Sequence, residues 1–238
     1  MRFIPAGDAA VVVEFGDRID RALSAEVLQL AQVMRAAPPA GVVEVVATFR
    51  SLLVHYDPRL TGGKRVIAAI RELTATGAGA RRPRRRWTIP ACYAPEFALD
   101  LAEVAERTGL GAAQAVARHA ATEFHVYMVG FSPGHPYLGD LPDELMLPRR
   151  TDPRLRVPAG SIAIASTLSV MYPADSPSGW HVIGATPVQL FDAAWEQPSL
   201  LAPGDAVRFA PIELPEFHAI RSAVEAKRFA PVSEEIAS

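Results

Sequence analysis

The chain has 238 residues, half of them hydrophobic, with 21% charged and a formal net charge of -2. That is enough apolar mass for one large core or two smaller ones, and the near-neutral balance gives nucleic acid or an anionic membrane no electrostatic handle. One cysteine, Cys92, excludes an intramolecular disulfide and fits a reducing compartment. The start, MRFIPAGDAAVVVEF, lacks a charged-then-apolar signal pattern. No apolar run approaches the roughly 18 residues that span a bilayer, so a cytoplasmic protein without membrane or nucleic-acid partners is expected.

The first element, AVVVEF at 10 to 15, reads as a strand. A helix is expected over 20 to 36, with Leu23, Val27, Leu30, Ala31 and Met34 at helical spacing, Asp20 as cap and Pro38-Pro39 as stop. VVEVVATF (42 to 49) and SLLVHYD (51 to 57) are joined so tightly at Arg50-Ser51 that they predict a hairpin. A second helix is expected over 64 to 76, with Val66, Ile67, Ile70 and Leu73 on one face, and WTIPACY (87 to 93) is the next strand. The order matches a ferredoxin-like α+β unit over residues 1 to 80.

TGAGARRPRRR (76 to 86) carries five arginines with Gly and Pro. No aromatic platform interleaves the arginines, so an exposed linker or a domain-surface strand is favoured over an RNA-binding arm. Two short helices follow, at 99 to 107 and 112 to 121. From 124 onward FHVYMV, SIAIAS, LSVMY, WHVIG, PVQLF and AVRFA recur between turn signals, which predicts a barrel or sandwich over 81 to 238. A helix is expected from Glu213 to about Arg228, with a frayed end.

GxxxxGK[ST], GxGxxG, HExxH, CxxC and GxSxG are all absent, and the six histidines show no metal-ligand spacing. Cys92 reads as a buried structural thiol, since no cationic neighbour in sequence lowers its pKa. The unusual residues concentrate between 125 and 186, beginning with the loop GFSPGHPYLG (130 to 139). Arg149, Arg150, Arg154 and Arg156 flank rigid Pro-containing turns and offer planar forks for carboxylate or phosphate. Gly134, Gly160 and Gly179 let a ligand approach backbone N–H groups, and Tyr137, Tyr172 and Trp180 can wall a pocket. An anion-binding pocket is favoured over a loop cluster held together by aromatic packing.

PACYAPEFALDLAEVA, the His at 125, GFSPGHPYLGDLP, PRR, VPAGSIAIA, YPADSPSGWHVIGATP and LLAPGDAVRFAPI occur in this order. In these stretches the chain resembles the 5-oxoprolinase B-subunit family (PxpB/KipI), also described as KipI-like or allophanate hydrolase subunit 1-like. The resemblance implies a small α+β domain followed by a cyclophilin-like β-barrel. It implies a partner like the C subunit of 5-oxoprolinase (KipA-like), a lactam hydrolase like its A subunit, and ATP, with Mg in the nucleotide complex. The implied reaction opens 5-oxoproline to glutamate after phosphorylation of the amide oxygen, which makes the resonance-stabilised lactam open to water. Such a step needs preorganised cationic donors and a clamp on the substrate carboxylate.

On that basis Arg149, Arg156 and His125 are the expected catalytic residues, with Arg150 as a further donor. Gly160-Ser161 and the 176 to 180 turn would offer backbone N–H groups, and Tyr137, Tyr172 and Trp180 the walls. Phe131, Pro133, Gly134, His135, Pro158, Ser176, Gly179 and Thr186 complete the expected binding set. The chain departs from the family pattern at His135 (PGH for PGF), Ser178 (SPSGW for SPGGW) and Ala185 (IGATP for IGRTP), and in LSVMYP where a TGIYP-like segment is usual. The family also includes an inhibitor of a histidine kinase, and the same domain pair occurs fused in urea carboxylases as a carboxyl-transfer module. A regulatory binding module and a urea- or allophanate-directed module therefore remain the alternatives. A prolyl isomerase would rest on the barrel class alone.

Overall fold

A computed structural model of the chain describes residues 1–75 and 83–236. Most of the arginine-rich joint expected at 76 to 86 therefore lies outside the described residues. Two compact units result, one built on Met1–Pro83 and one spanning Arg84–Ile236. Among the described residues no helix is long and apolar enough to cross a membrane.

The first unit has β1 (Arg2–Pro5), β2 (Ala10–Glu14), α1 (Arg21–Ala36), β3 (Val42–Ala47), β4 (Ser51–Tyr56) and α2 (Gly63–Ala75). Asp20 caps α1, its Oδ1 accepting from Ala22 N at 2.9 Å and Leu23 N at 3.1 Å. Val27, Leu30, Ala31 and Met34 of α1 meet Val66 and Ile70 of α2 over Val11, Val13, Leu52 and Val54. The sheet is antiparallel throughout, in the order β1-β2-β4-β3. The strand expected at 87 to 93 does not join it. The edge beside β2 is taken instead by β1, whose Phe3 packs on this core, whereas Trp87, Ile89 and Ala91 bury in the other one.

The second unit has β5 (Arg84–Ala91), α3 (Leu101–Thr108), α4 (Ala112–Ala121), β6 (Phe124–Val129), β7 (Pro136–Gly139), β8 (Arg154–Val157), β9 (Ser161–Ala165), β10 (Leu168–Met171), β11 (Ser176–Ser178), β12 (His181–Ala185), β13 (Ala206–Pro211), α5 (Leu214–Glu225) and β14 (Val232–Ile236). One mixed sheet runs β12-β9-β10-β7-β6-β13-β5-β14, and β8 pairs with β11 in a separate two-stranded sheet. The expected barrel is met in part. Among the described residues the ladder does not close; the Cys92–Ala185 bridge, with N···O distances of 2.8 and 2.9 Å, and the Asp100 N–H bond to Val182 O at 2.8 Å link the chain after β5 to β12.

Other expectations are corrected. Of the linker or surface strand expected at 76 to 86, Arg84–Arg86 take the strand form, as the start of β5, held by β14 and β13. PVQLF is not a strand, and only Phe191 makes a bridge, to Ser199. The expected loop 130 to 139 ends in β7, which opens with Pro136, and the frayed tail holds β14.

The period of two decides what faces where. In β9, Ile162 and Ile164 enter the main core with Leu138, Met171 and Ile183. Ala163 and Ala165 turn to the opposite face, where Val157, Val170, Tyr172, Trp180 and Val182 form a second cluster.

Candidate functional site

That second face carries the aromatic residues singled out in the sequence. Tyr137, Tyr172 and Trp180 each alternate with a neighbour buried in the main core or beneath it: Leu138, Met171 and His181. His135 lies among them, 3% exposed, with ring centroids 5.0 Å from Tyr137, 5.1 Å from Tyr172 and 5.6 Å from Phe131. Tyr137 meets Trp180 at 6.3 Å. All four pairs are edge-to-face, a favoured geometry for aromatic rings. Phe131 stands 70% exposed at the loop tip with φ of 74°, a left-handed conformation that is strained for an aromatic residue.

The Arg149 guanidinium sits 5.6 Å above the Trp180 ring, a cation–π contact. It has no carboxylate partner among the described residues, and its charge acts on both neighbouring phenols. Burial raises the pKa of Tyr137, opposed by Arg149. Burial likewise raises Tyr172, opposed by its bond to Ser178 and by Arg149. Burial also pushes the His135 imidazole down to about 4, so it stays neutral near pH 7. Its Nδ1 is buried without a hydrogen-bond partner, as is Ser132 Oγ in the same loop.

The other arginines are committed elsewhere. Arg150 Nη1 donates to Asp100 Oδ1 at 2.8 Å and to Glu103 Oε2 at 2.6 Å. Arg154 is bidentate on the same Asp100, at 2.7 and 2.6 Å. Asp100 also accepts the Val182 backbone N–H at 2.7 Å. The fully buried His181 closes this set, with Nε2 3.0 Å from Pro148 O and Nδ1 3.8 Å from Glu103 Oε1. Arg156 is 79% exposed and pairs with Asp175 on the surface. Arg149 alone of the expected cationic donors joins the aromatic cluster. Asp100, Glu103 and His181 escaped sequence reasoning. Asp100 precedes α3 and reads as a helix cap, yet makes no side-chain capping bond.

The glycines and backbone donors are used inside the fold. Gly160 N–H donates to Tyr172 O at 2.7 Å and Ser161 N–H to Pro158 O at 3.2 Å, so neither is offered to a ligand. Gly160 has φ of 83°, and a Cβ there would lie 2.5 Å from Thr186 O. Gly160→Ala is therefore expected to cost about 2–3 kcal/mol. Urea unfolding reads this directly, and a loss below about 0.5 kcal/mol would contradict it. Gly134, with φ of 76°, packs against Phe191 and Leu190. Thr186 Oγ1 accepts from Val188 N, Gly179 O accepts from Arg150 N, and Ser176 pairs with Val157. Pro133 and Pro158 are exposed.

His125 shares the second face by register, opposite Gly139, and its ring packs edge-on against Tyr127 at 4.6 Å. A different histidine anchors the core. His119 has Tyr93 OH 2.9 Å from Nδ1 and Ser169 Oγ 3.0 Å from Nε2. This Tyr–His–Ser row looks like a nucleophile relay, but His119 and Ser169 are fully buried and meet no open surface.

Burial pushes His119 down to about 3. Both depressed histidines lie below their ordinary value of 6.5, so the unfolded chain takes up protons first as pH falls. Stability present above pH 6.5 is then lost on the way toward pH 4, by about 1 kcal/mol per pH unit for each histidine. Urea unfolding at pH 7, 6 and 5 should show this slope, and His135→Phe should remove about half of it. An unchanged slope in that variant would contradict the assignment.

The carboxyltransferase domain family, subdomain C and D, matches residues 1–201. The B subunit of 5-oxoprolinase from Bacillus subtilis is 35% identical over 226 residues, covering 90% of this chain and 94% of that protein. The solved structure of TTHA0988 is 35% identical with a TM-score of 0.77, and matches 87% of this chain but 40% of its own length. The Kluyveromyces lactis urea amidolyase, 19% identical, shares the fold with a TM-score of 0.83 over 98% of this chain and 16% of its own.

Proposed function

The chain belongs to the 5-oxoprolinase B-subunit family, and from that we propose that it is the B subunit of an ATP-dependent 5-oxoprolinase and holds the carboxylate end of its substrate. The observation that carries the reading is likeness along nearly the whole length of both proteins, 90% of this chain and 94% of the Bacillus subtilis B subunit. The C and A subunits are the implied partners, and ATP is the co-substrate of the assembled complex. The family's finer fold, a ferredoxin-like unit and a cyclophilin-like barrel, is supported by the β2-β4-β3 order under two helices and by the Cys92–Ala185 bridge.

A lactam is a stabilised amide, and opening its ring runs uphill until ATP is coupled to it. This chain's own residues supply recognition. Arg149 presents a guanidinium without a carboxylate partner among the described residues, above Trp180 and beside Tyr137 and Tyr172. A flat five-membered ring carrying one carboxylate matches that arrangement of one fork and flat aromatic walls. No group of three or more His, Cys, Asp or Glu fit for a metal ion occurs among the described residues.

The test is reconstitution. The chain is co-purified with partners of the C-subunit and A-subunit type, and ATP hydrolysis is measured with and without 5-oxoproline. Hydrolysis should rise at least about 10-fold on adding 5-oxoproline, and only when all three are present. ATP hydrolysis that ignores 5-oxoproline and answers to urea would instead select the carboxyltransferase reading.

A further inference from the structure

Donors in the Arg149 cluster are unequally used, and the surplus describes a ligand. Ser178 and Tyr172, both buried, carry two hydroxyl hydrogens. Their oxygens lie 2.5 Å apart, so one hydrogen serves the bond between them. Ser178 Oγ also accepts the Trp180 backbone N–H at 3.0 Å. Where Tyr172 donates, Ser178 accepts twice and its own hydrogen is left over; where Ser178 donates, the Tyr172 hydrogen is left over. Either way, one hydroxyl hydrogen has no acceptor among the described residues. Leaving a buried donor unmet is costly, so the pair favours an incoming acceptor.

Charge narrows the ligand further. His135 is neutral at physiological pH, and Arg150 and Arg154 are neutralised by Asp100 and Glu103. That leaves one positive charge at the cluster, on Arg149. One charge matches one carboxylate, whereas a triphosphate needs several cations or a metal to balance it.

We infer that this cluster is a site for a small planar monocarboxylate rather than for the nucleotide, bound by the Arg149 guanidinium and the spare hydroxyl hydrogen of the Ser178–Tyr172 pair, with Ser178 as the positioning residue that fixes Tyr172 against Trp180. Only the choice of 5-oxoproline as probe rests on the 5-oxoprolinase reading.

Calorimetric titration of the assembled complex without ATP tests it, with 5-oxoproline, 2-pyrrolidinone (the same lactam without the carboxylate) and MgATP as probes. 5-Oxoproline should bind at one site per chain, and 2-pyrrolidinone at least about 30-fold more weakly. Arg149→Gln, at an exposed position that leaves the fold intact, should weaken 5-oxoproline binding by a similar factor. MgATP should not displace it. Ser178→Ala should raise KM about 5-fold with kcat within 2-fold, and Ser178→Thr should restore it. A purely structural role for Ser178 would lower the melting temperature without that split.

Unchanged affinity in Arg149→Gln, equal binding of 2-pyrrolidinone, or displacement by MgATP would each overturn the site. If ATP hydrolysis still depends on 5-oxoproline in that case, the 5-oxoprolinase reading survives the loss of the site. If Arg149-dependent binding is found in a complex without 5-oxoproline-dependent ATP hydrolysis, the site survives the loss of that reading.

Discussion

Replacing Asp100 with alanine is expected to lower the unfolding free energy by about 3–5 kcal/mol. The carboxylate is 3% exposed and satisfies Arg150, both terminal nitrogens of Arg154 and the Val182 backbone N–H. Its removal leaves Arg154 without a partner in this network and Arg150 with Glu103 and a long bond to Asp152 O. Their side chains are only 27% and 19% exposed, so water cannot fully replace what is lost. It also leaves Val182 N–H, on the edge strand of the large sheet, without its acceptor. Asp100→Asn keeps one acceptor oxygen but no charge and should fall between the two. Calorimetric melting of wild type and both variants checks the order, and a shift under about 2 °C for Asp100→Ala would refute it. The same variant should also reach the site. Pro148 O is held by His181, Arg150 N–H is held by Gly179 O, and Arg149 lies between these two anchors.

How far the sequence could be read depended on the range of the interactions involved. The α1 helix, its Asp20 cap and the two-faced alternation of SIAIA are local patterns, and each is legible in a window of a few residues. The aromatic cluster was legible too, because Gly and Pro density marks a rigid loop and Tyr137, Tyr172 and Trp180 stand out by type. The arginines were not. Arg149 and Arg150 are neighbours with the same chemistry, and only an acid placed 50 residues earlier turns one into a structural ion pair. Gly160 shows a related ambiguity: a glycine for ligand approach and one for close packing look identical until Thr186 O is found against it. The strand expected to complete the first unit failed for the same reason, since WTIPA fits either core and β1 already fills the edge.

Arg149→Ala is expected to raise KM for 5-oxoproline about 100-fold in the reconstituted complex, which corresponds to about 2.7 kcal/mol. KM for ATP should stay within about 3-fold. The argument rests on the contrast with its neighbours. Arg150 and Arg154 are bound to Asp100, and Arg156 lies on the surface with Asp175. Arg149 instead rests on an aromatic ring, which orders the guanidinium without occupying its fork. A carboxylate arriving there gains two charge-assisted bonds at little ordering cost. Arg149→Lys keeps the charge but loses the planar fork, and should recover only part of the loss, to about 10-fold above wild type. Arg156→Ala should remain within about 3-fold, because its partner Asp175 is an exposed acid. Equal losses in Arg149→Ala and Arg156→Ala would mean that the substrate meets the surface pair instead, and a wild-type KM in Arg149→Ala would remove the carboxylate from this face of the sheet altogether.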